Sequence, residues 1–143
     1  MKPQLQAIFL AKSQFERSRK ADFESKDIKH GLSINIETNI IDQIPGLVVS
    51  FDLEFIVYSK RKANFLIKYK STHIAHLKID DINDQDEDKL DRFGGVNVAA
   101  MIFPFIREDI ANRVGKSGLT PIFLPPINFI EEYEKKKQKA KLK

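Results

Sequence analysis

The chain has 143 residues, of which 42% are hydrophobic and 11 are Phe, enough for one domain with a core of its own. It has no Cys, which excludes disulfides and thiolate chemistry and permits an intracellular setting. The formal net charge of +4 resides in residues 134–143, EKKKQKAKLK, where six Lys meet one Glu; the rest of the chain is close to neutral.

The opening residues do not read as a signal peptide, because Lys12 and Glu16 interrupt a short apolar stretch. No apolar run approaches the ~18 residues of a membrane span. The expectation is a soluble, cytoplasmic protein without membrane insertion. Residues 5–15 read as a strand, with Leu5, Ala7, Phe9, Ala11 and Phe15 on one parity and Gln6, Lys12 and Gln14 mostly on the other. Residues 16–31 are polar and unperiodic, a long loop. Residues 32–40 alternate, with Leu32, Ile34 and Ile36 inward and Ser33, Asn35 and Glu37 outward. Pro45-Gly46 is a turn signal. Residues 47–59 form a third strand with Leu47, Val49, Phe51, Leu53, Phe55 and Val57 on one face. A polar hairpin connection at 60–64 leads to a fourth strand over 65–80. Strands joined by short turns favour an antiparallel sheet with one buried face.

The acidic stretch 81–91 reads as a charge-rich, solvated loop or a short helical lead-in, not as a calcium-binding loop, since it lacks the central Gly and the twelfth-position Glu. The period then changes. Ala99, Ile102, Phe103, Ile106, Ile110 and Val114 recur at three and four, the stripe of an amphipathic helix. Gly94-Gly95 marks its entry and Gly115 its exit, Pro104 predicts a kink, and Arg107, Glu108 and Asp109 fall on the polar side. Residues 116–128 are too rich in proline for a helix or a central strand and read as an extended crossover. A last helix opens at Asn128, three residues before Glu131, with Phe129, Ile130 and Tyr133 as its apolar stripe. Strands first and helices last describe an α+β domain. The expected division is a single domain over 1–133 and a Lys-rich extension over 134–143.

Catalytic chemistry has little to stand on. His73 and His76 lie three apart on a strand and point to opposite faces, which is poor geometry for a metal. The sequence has no Gly-x-Ser-x-Gly elbow, and RFGGVN is a lone Gly pair, not a nucleotide cradle. The expectation is a non-enzyme without metal or cofactor.

The stretch MIFPFIREDIANRVGKSGLTPIFLPPINF, residues 101–129, resembles the C-terminal half of the SecB family of protein-export chaperones. The residues that carry the likeness are Phe103, Pro104, Phe105, Arg107, Glu108, Gly118, Pro121, Leu124, Pro126, Asn128 and Phe129. A weaker likeness of strand pattern extends over 5–16 and 47–69. The resemblance implies a four-stranded antiparallel sheet followed by a long kinked helix, a Pro-rich crossover and a C-terminal helix. It implies a homotetramer, a dimer of dimers, that holds unfolded preproteins or other client polypeptides in apolar grooves without ATP. A groove wall stiffened by proline loses little entropy on binding, and Phe9, Ile122, Phe123, Leu124, Phe129, Ile130 and Tyr133 are the groove candidates.

The resemblance also implies a partner-docking face on the outer side of the sheet, where members that deliver clients to the SecA ATPase carry acids. Here Glu16 keeps an acid, whereas Lys12 and Lys68 reverse the charge, which opposes docking of a basic, zinc-bearing SecA tail. SecB-like chaperones that protect an antitoxin are the alternative within the family. An alternative of another class is a nucleic-acid or acidic-surface binding module that uses the Lys tail, whose ordinary reading is a solvated helix end.

Overall fold

A computed structural model describes residues 1–19, 28–42, 44–59, 65–120, 122 and 124–141. The connection expected at 60–64, residues 20–27 of the loop expected at 16–31, and Phe123 lie outside the described residues, while the two ends of that loop, 16–17 and 28–31, are strand. Four strands of 14 residues each form one antiparallel sheet: β1 (Gln4–Arg17), β2 (Ile28–Ile41), β3 (Gly46–Ser59) and β4 (Phe65–Lys78), in the order β1-β4-β3-β2. The central strands alternate as their sequences demand. Val49, Phe51, Leu53, Phe55 and Val57 of β3 and Tyr69, Ser71, His73, Ala75 and Leu77 of β4 are buried on one face. Gly46 opens β3 in close approach to β4, where a Cβ would sit 2.0 Å from the Leu77 carbonyl oxygen.

β1 departs from the simple alternation expected of it. Register shifts between Leu5 and Ala7 and between Leu10 and Lys12 each insert one extra residue, so the parity flips twice. Ile8 pairs with Ala75 and Leu10 with His73 on the helix side, while Ala7 and Phe9 pair with His76 and Ile74 on the outer side. Beyond the second bulge Ser13 and Phe15 return to the helix side opposite Ser71 and Tyr69. A single inserted residue exchanges the faces of everything after it, and period counting does not see it.

After β4 a short 3₁₀ turn (Ile82–Asp84) leads into helix, so of the two readings of 81–91, loop or short helical lead-in, the second half takes the helical one. The Asp86 side chain accepts from the Asp88 N–H and starts α1 (Glu87–Arg92). A π-helical segment (Phe93–Val98) joins α1 to α2 (Ala99–Lys116) without a break. Gly94 and Gly95 are therefore not the entry of the helix but part of its wide turn. A Cβ on Gly94 would meet the Thr38 side chain of β2, and one on Gly95 the Tyr133 ring. Helix α2 runs through Pro104 and ends at Lys116, one residue beyond the expected Gly115, with Gly118 just past it in the left-handed region at φ 85°.

Helix α2 lies on β3 and β4, with Ile102, Phe103, Ile106, Ile110 and Val114 buried against the sheet. The crossover follows without regular structure among its described residues. Leu124 sinks into the core, and Ile122 and Ile127 pack on it. Helix α3 (Phe129–Lys141) is started by Asn128, whose side chain accepts from the Glu131 N–H, as the sequence suggests. It runs unbroken past Tyr133, so residues 134–141 continue the helix. The rings of Phe51, Phe103 and Phe129 meet at 5.6–6.4 Å between centroids and lock α2 and α3 onto β3. Each such pair adds about 0.5–1.5 kcal/mol beyond the area it buries.

Candidate functional site

Among the described residues, surface hollows flank this frame on both sides of the sheet. The first lies between β1 and α2, a groove of about 200 Å³ lined by Leu10, Phe9 and Phe105 at its rim and by His73 and Asp109 deeper in. Leu10, Phe105 and Met101 are all exposed, although each is a large apolar side chain. Met101 and Phe105 share a face of α2, one turn apart. Beneath them Asp109 turns toward the sheet rather than to the polar side. It accepts from the Ser13 hydroxyl at 2.9 Å and the Tyr69 hydroxyl at 2.5 Å, and Arg113 Nε stands 3.6 Å away. The spacing was legible in principle, for Asp109 is three residues after the buried Ile106. Burial pushes the Tyr69 hydroxyl well above its usual range, reinforced by its bond to Asp109. Burial also lowers the pKa of His73, whose Nδ1 has no hydrogen-bond partner among the described residues.

The second hollow, about 310 Å³, crosses the outer face of the sheet over Lys12, Gln14, Lys70, Thr72, Asp52 and Glu54. Thr72 donates to Asp52 across β4 and β3 at 2.6 Å. Lys12 is in register with Thr72, and Glu16 with Lys68. The three residues of the predicted docking face thus do share the outer side of neighbouring strands. Lys68 lies over the Phe65 ring at 4.2 Å. The resulting surface is a mixed one, with Lys12, Lys68 and Lys70 set among Glu16, Asp52 and Glu54.

The third hollow, about 230 Å³, runs between β2 and α3. Ile34, Ile36 and Thr38 form one wall, Tyr133 and Gly95 the floor, and Lys135, Lys136 and Lys139 the rim, with Asp91 and Glu132 beside them. The Tyr133 hydroxyl donates to Asp91 at 3.0 Å, and Arg92 bonds Glu134 at 2.7 Å, which ties α3 to the end of α1. β2 is a sheet edge, so among the described residues no strand pairs with its outer side. One carbonyl on β2, that of Ile36, accepts from Lys136 Nζ at 2.5 Å.

The candidate groove residues do not converge on one place. Phe9 (48% exposed) lines the hollow beside β1, Tyr133 of α3 lines the hollow beside β2, and Ile130 (51% exposed), also on α3, lines neither. Leu124 (1% exposed) and Phe129 (7%) are part of the chain's own core, and Ile122 packs against it half-buried. Tyr133 (7%) keeps only its edge on the groove. The lysine rim, the exposed Phe105 and Met101, and the Asp109 cluster went unnoticed in the sequence. Among the described residues no cluster of His, Asp and Glu is placed to hold a metal, and no helix is long and apolar enough to cross a membrane.

The family model described as preprotein translocase subunit SecB matches residues 2–140. The chain belongs to the SecB family. The protein-export protein SecB of Nitrosomonas eutropha is 22% identical over 96% of this chain and 89% of its own length. That of Burkholderia vietnamiensis is 34% identical over a shorter stretch, 54% of this chain and 45% of the relative. Among solved structures, a SecB-like chaperone of Mycobacterium tuberculosis, in complex with a ChAD peptide from an antitoxin, superposes with a TM-score of 0.76. It is 17% identical over 87% of this chain and 90% of that one. The SecB fold accounts for the whole described architecture: a four-stranded antiparallel sheet, a long helix and a C-terminal helix.

Proposed function

We propose that this SecB-family chaperone is an ATP-independent holdase that binds unfolded polypeptides, preproteins among them, and keeps them translocation-competent. The observation that carries the reading is β2, a 14-residue edge strand lying beside the hollow floored by Tyr133. Main-chain groups on an open edge pair with any extended chain, whatever its sequence. An adjoining apolar wall of Ile34 and Ile36 adds affinity with little specificity. Both demands suit an unfolded client and neither needs nucleotide, cofactor or catalysis. Tyr133 is the client contact from α3 in this groove, while Leu124 and Phe129 hold the groove in shape from within the core.

The protein works in the cytoplasm as a dimer of dimers. The exposed Leu10, Phe105 and Met101 beside β1 are the surface that a second copy covers, and Phe9 lies at its border. Delivery to SecA is not part of the reading, because Lys12 and Lys68 stand among the outer-face acids. A second reading has one specific support: the Mycobacterium tuberculosis chaperone of the same fold was solved with an antitoxin peptide. An antitoxin is then the client. The test is suppression of aggregation of a refolding protein without nucleotide, with mass by light scattering. A chain that leaves aggregation unchanged at several-fold excess refutes the holdase, and a monomer at micromolar concentration refutes the assembly.

A further inference from the structure

The rim of the groove between β2 and α3 has a charge that the holdase reading does not use. Three lysines, Lys135, Lys136 and Lys139, border it against two carboxylates. Those two are already engaged. Asp91 accepts from the Tyr133 hydroxyl at 3.0 Å, and Glu132 lies 4.0 Å from Lys135 Nζ. Lys136 reaches instead for a neutral acceptor, the Ile36 carbonyl at the open edge of β2. A carbonyl carries no net charge, so the Lys136 ammonium keeps its full positive charge there, whereas a carboxylate partner would neutralise it. Lys139 has no ion-pair partner among the described residues.

We infer that this groove selects client segments in which carboxylates alternate with apolar residues, and takes them as an added strand on β2. The inference rests on the holdase reading and names the chemistry of its preferred client. In an extended chain, alternate side chains point to opposite sides. The set on the helix side of the sheet enters the groove, where Ile34 and Ile36 share a face with α3, the other set points to the outer face, and the backbone N–H groups meet the β2 carbonyls. Carboxylates at the α3 side meet Lys136 and Lys139. Lys136 leaves the Ile36 carbonyl as the client arrives, so the free protein's edge is guarded by the same side chain that recognises the ligand. A lysine on an edge strand's open side is a common guard against unwanted pairing.

A nucleic acid fits the groove less well. Its single aromatic side chain, Tyr133, is no open stacking platform: Gly95 lies against one part of the ring, Arg92 is 5.7 Å from its centroid and Lys137 5.2 Å.

The experiment compares three labelled peptides long enough to span β2, in which valine alternates with glutamate, with lysine or with threonine. Anisotropy titrations use the full chain at low and at high salt. The glutamate peptide binds about tenfold tighter than the lysine peptide at low salt, the work of two or three exposed ion pairs, and the gap narrows as salt rises. In the double variant K136E and K139E the order of those two peptides reverses. In Lys136→Ala the glutamate peptide weakens while the threonine peptide tightens, because the Ile36 carbonyl is free. Circular dichroism confirms that each variant is folded. Equal binding of the peptides by the parent overturns the inference, as does an unchanged order in the double variant. Displacement of the glutamate peptide by an oligo-thymidine of equal charge also overturns it, in favour of a general polyanion site. Suppression of aggregation by the parent alongside any of these results leaves the holdase standing, so the two failures are distinguishable.

Discussion

Replacing Gly94 by Ala sets two effects of known size against each other. In a helix interior Ala is favoured over Gly by about 1 kcal/mol. At Gly94, however, the added Cβ would stand 2.1 Å from Thr38 Oγ1, 2.8 Å from its Cγ2 and 3.0 Å from its Cβ. Carbon atoms rest at about 3.5–4.0 Å. Rotating the Thr38 side chain moves the first two atoms but not the third, whose place is fixed by the β2 backbone, so the edge strand itself must shift. Overpacking of this kind costs about 1–3 kcal/mol. Because the strand backbone must move, the cost falls in the upper part of that range, about 2–3 kcal/mol, so after the propensity gain Gly94→Ala should destabilise by about 1–2 kcal/mol, lowering Tm by roughly 2–4 °C per kcal/mol in a chain of this size. Urea unfolding of Gly94→Ala, Thr38→Ala and the double variant measures it. Removing Oγ1 and Cγ2 relieves most of the overlap, so the double variant should recover about 1 kcal/mol or more relative to the sum of the singles. A Gly94→Ala protein as stable as the parent, or effects that add within about 0.5 kcal/mol, would refute the contact between the π turn and β2.

Asp109→Ala should cost about 1–3 kcal/mol, since it leaves the Ser13 and Tyr69 hydroxyls without their acceptor; Tyr69→Phe in that background should recover part of the loss, read from the same urea curves. Stability should fall as pH drops below 6.5, because burial holds the pKa of His73 under its unfolded value and the unfolded chain takes up the proton first; His73→Gln should flatten that part of the profile. At the other end, stability should fall as pH rises above 10, since the unfolded chain loses the Tyr69 proton before the folded one does, and Tyr69→Phe should remove that slope. Calorimetry with the isolated zinc-bearing tail of SecA should detect weak or no binding to the parent. Binding should strengthen in the double change Lys12→Asp and Lys68→Glu, more at low salt than at high; tight parental binding indifferent to both charges would count against the docking argument.

The sequence by itself determined the elements and most of their faces. Alternation over β2, β3 and β4 and the three-and-four spacing from Ala99 to Val114 are local properties, and each forces one side of an element inward wherever it packs. The SecB likeness lay in residues 101–129, the Pro104-bearing part of α2 and the proline-spaced crossover after it, and the family followed from it. The Asn128 cap was equally legible, because a cap bonds to residues three positions away.

Tertiary structure decided what depends on neighbours far along the chain. The two bulges in β1 exist because the strand must follow β4, and they moved Phe9 to the outer face. The acidic stretch became helix where Asp86 could cap it. Gly94 and Gly95 look like a helix entry until β2 and α3 are laid against them, and only then does their missing Cβ have a purpose. The groove followed the same rule. Leu124 and Phe129 are apolar in a sequence whichever way they face, and only the sheet beneath them determines that they are buried. The lysines of α3 read as a solvated helix end because their distance from Ile36, a hundred residues earlier in the chain for Lys136, is set by the packing of α3 beside the edge of the sheet.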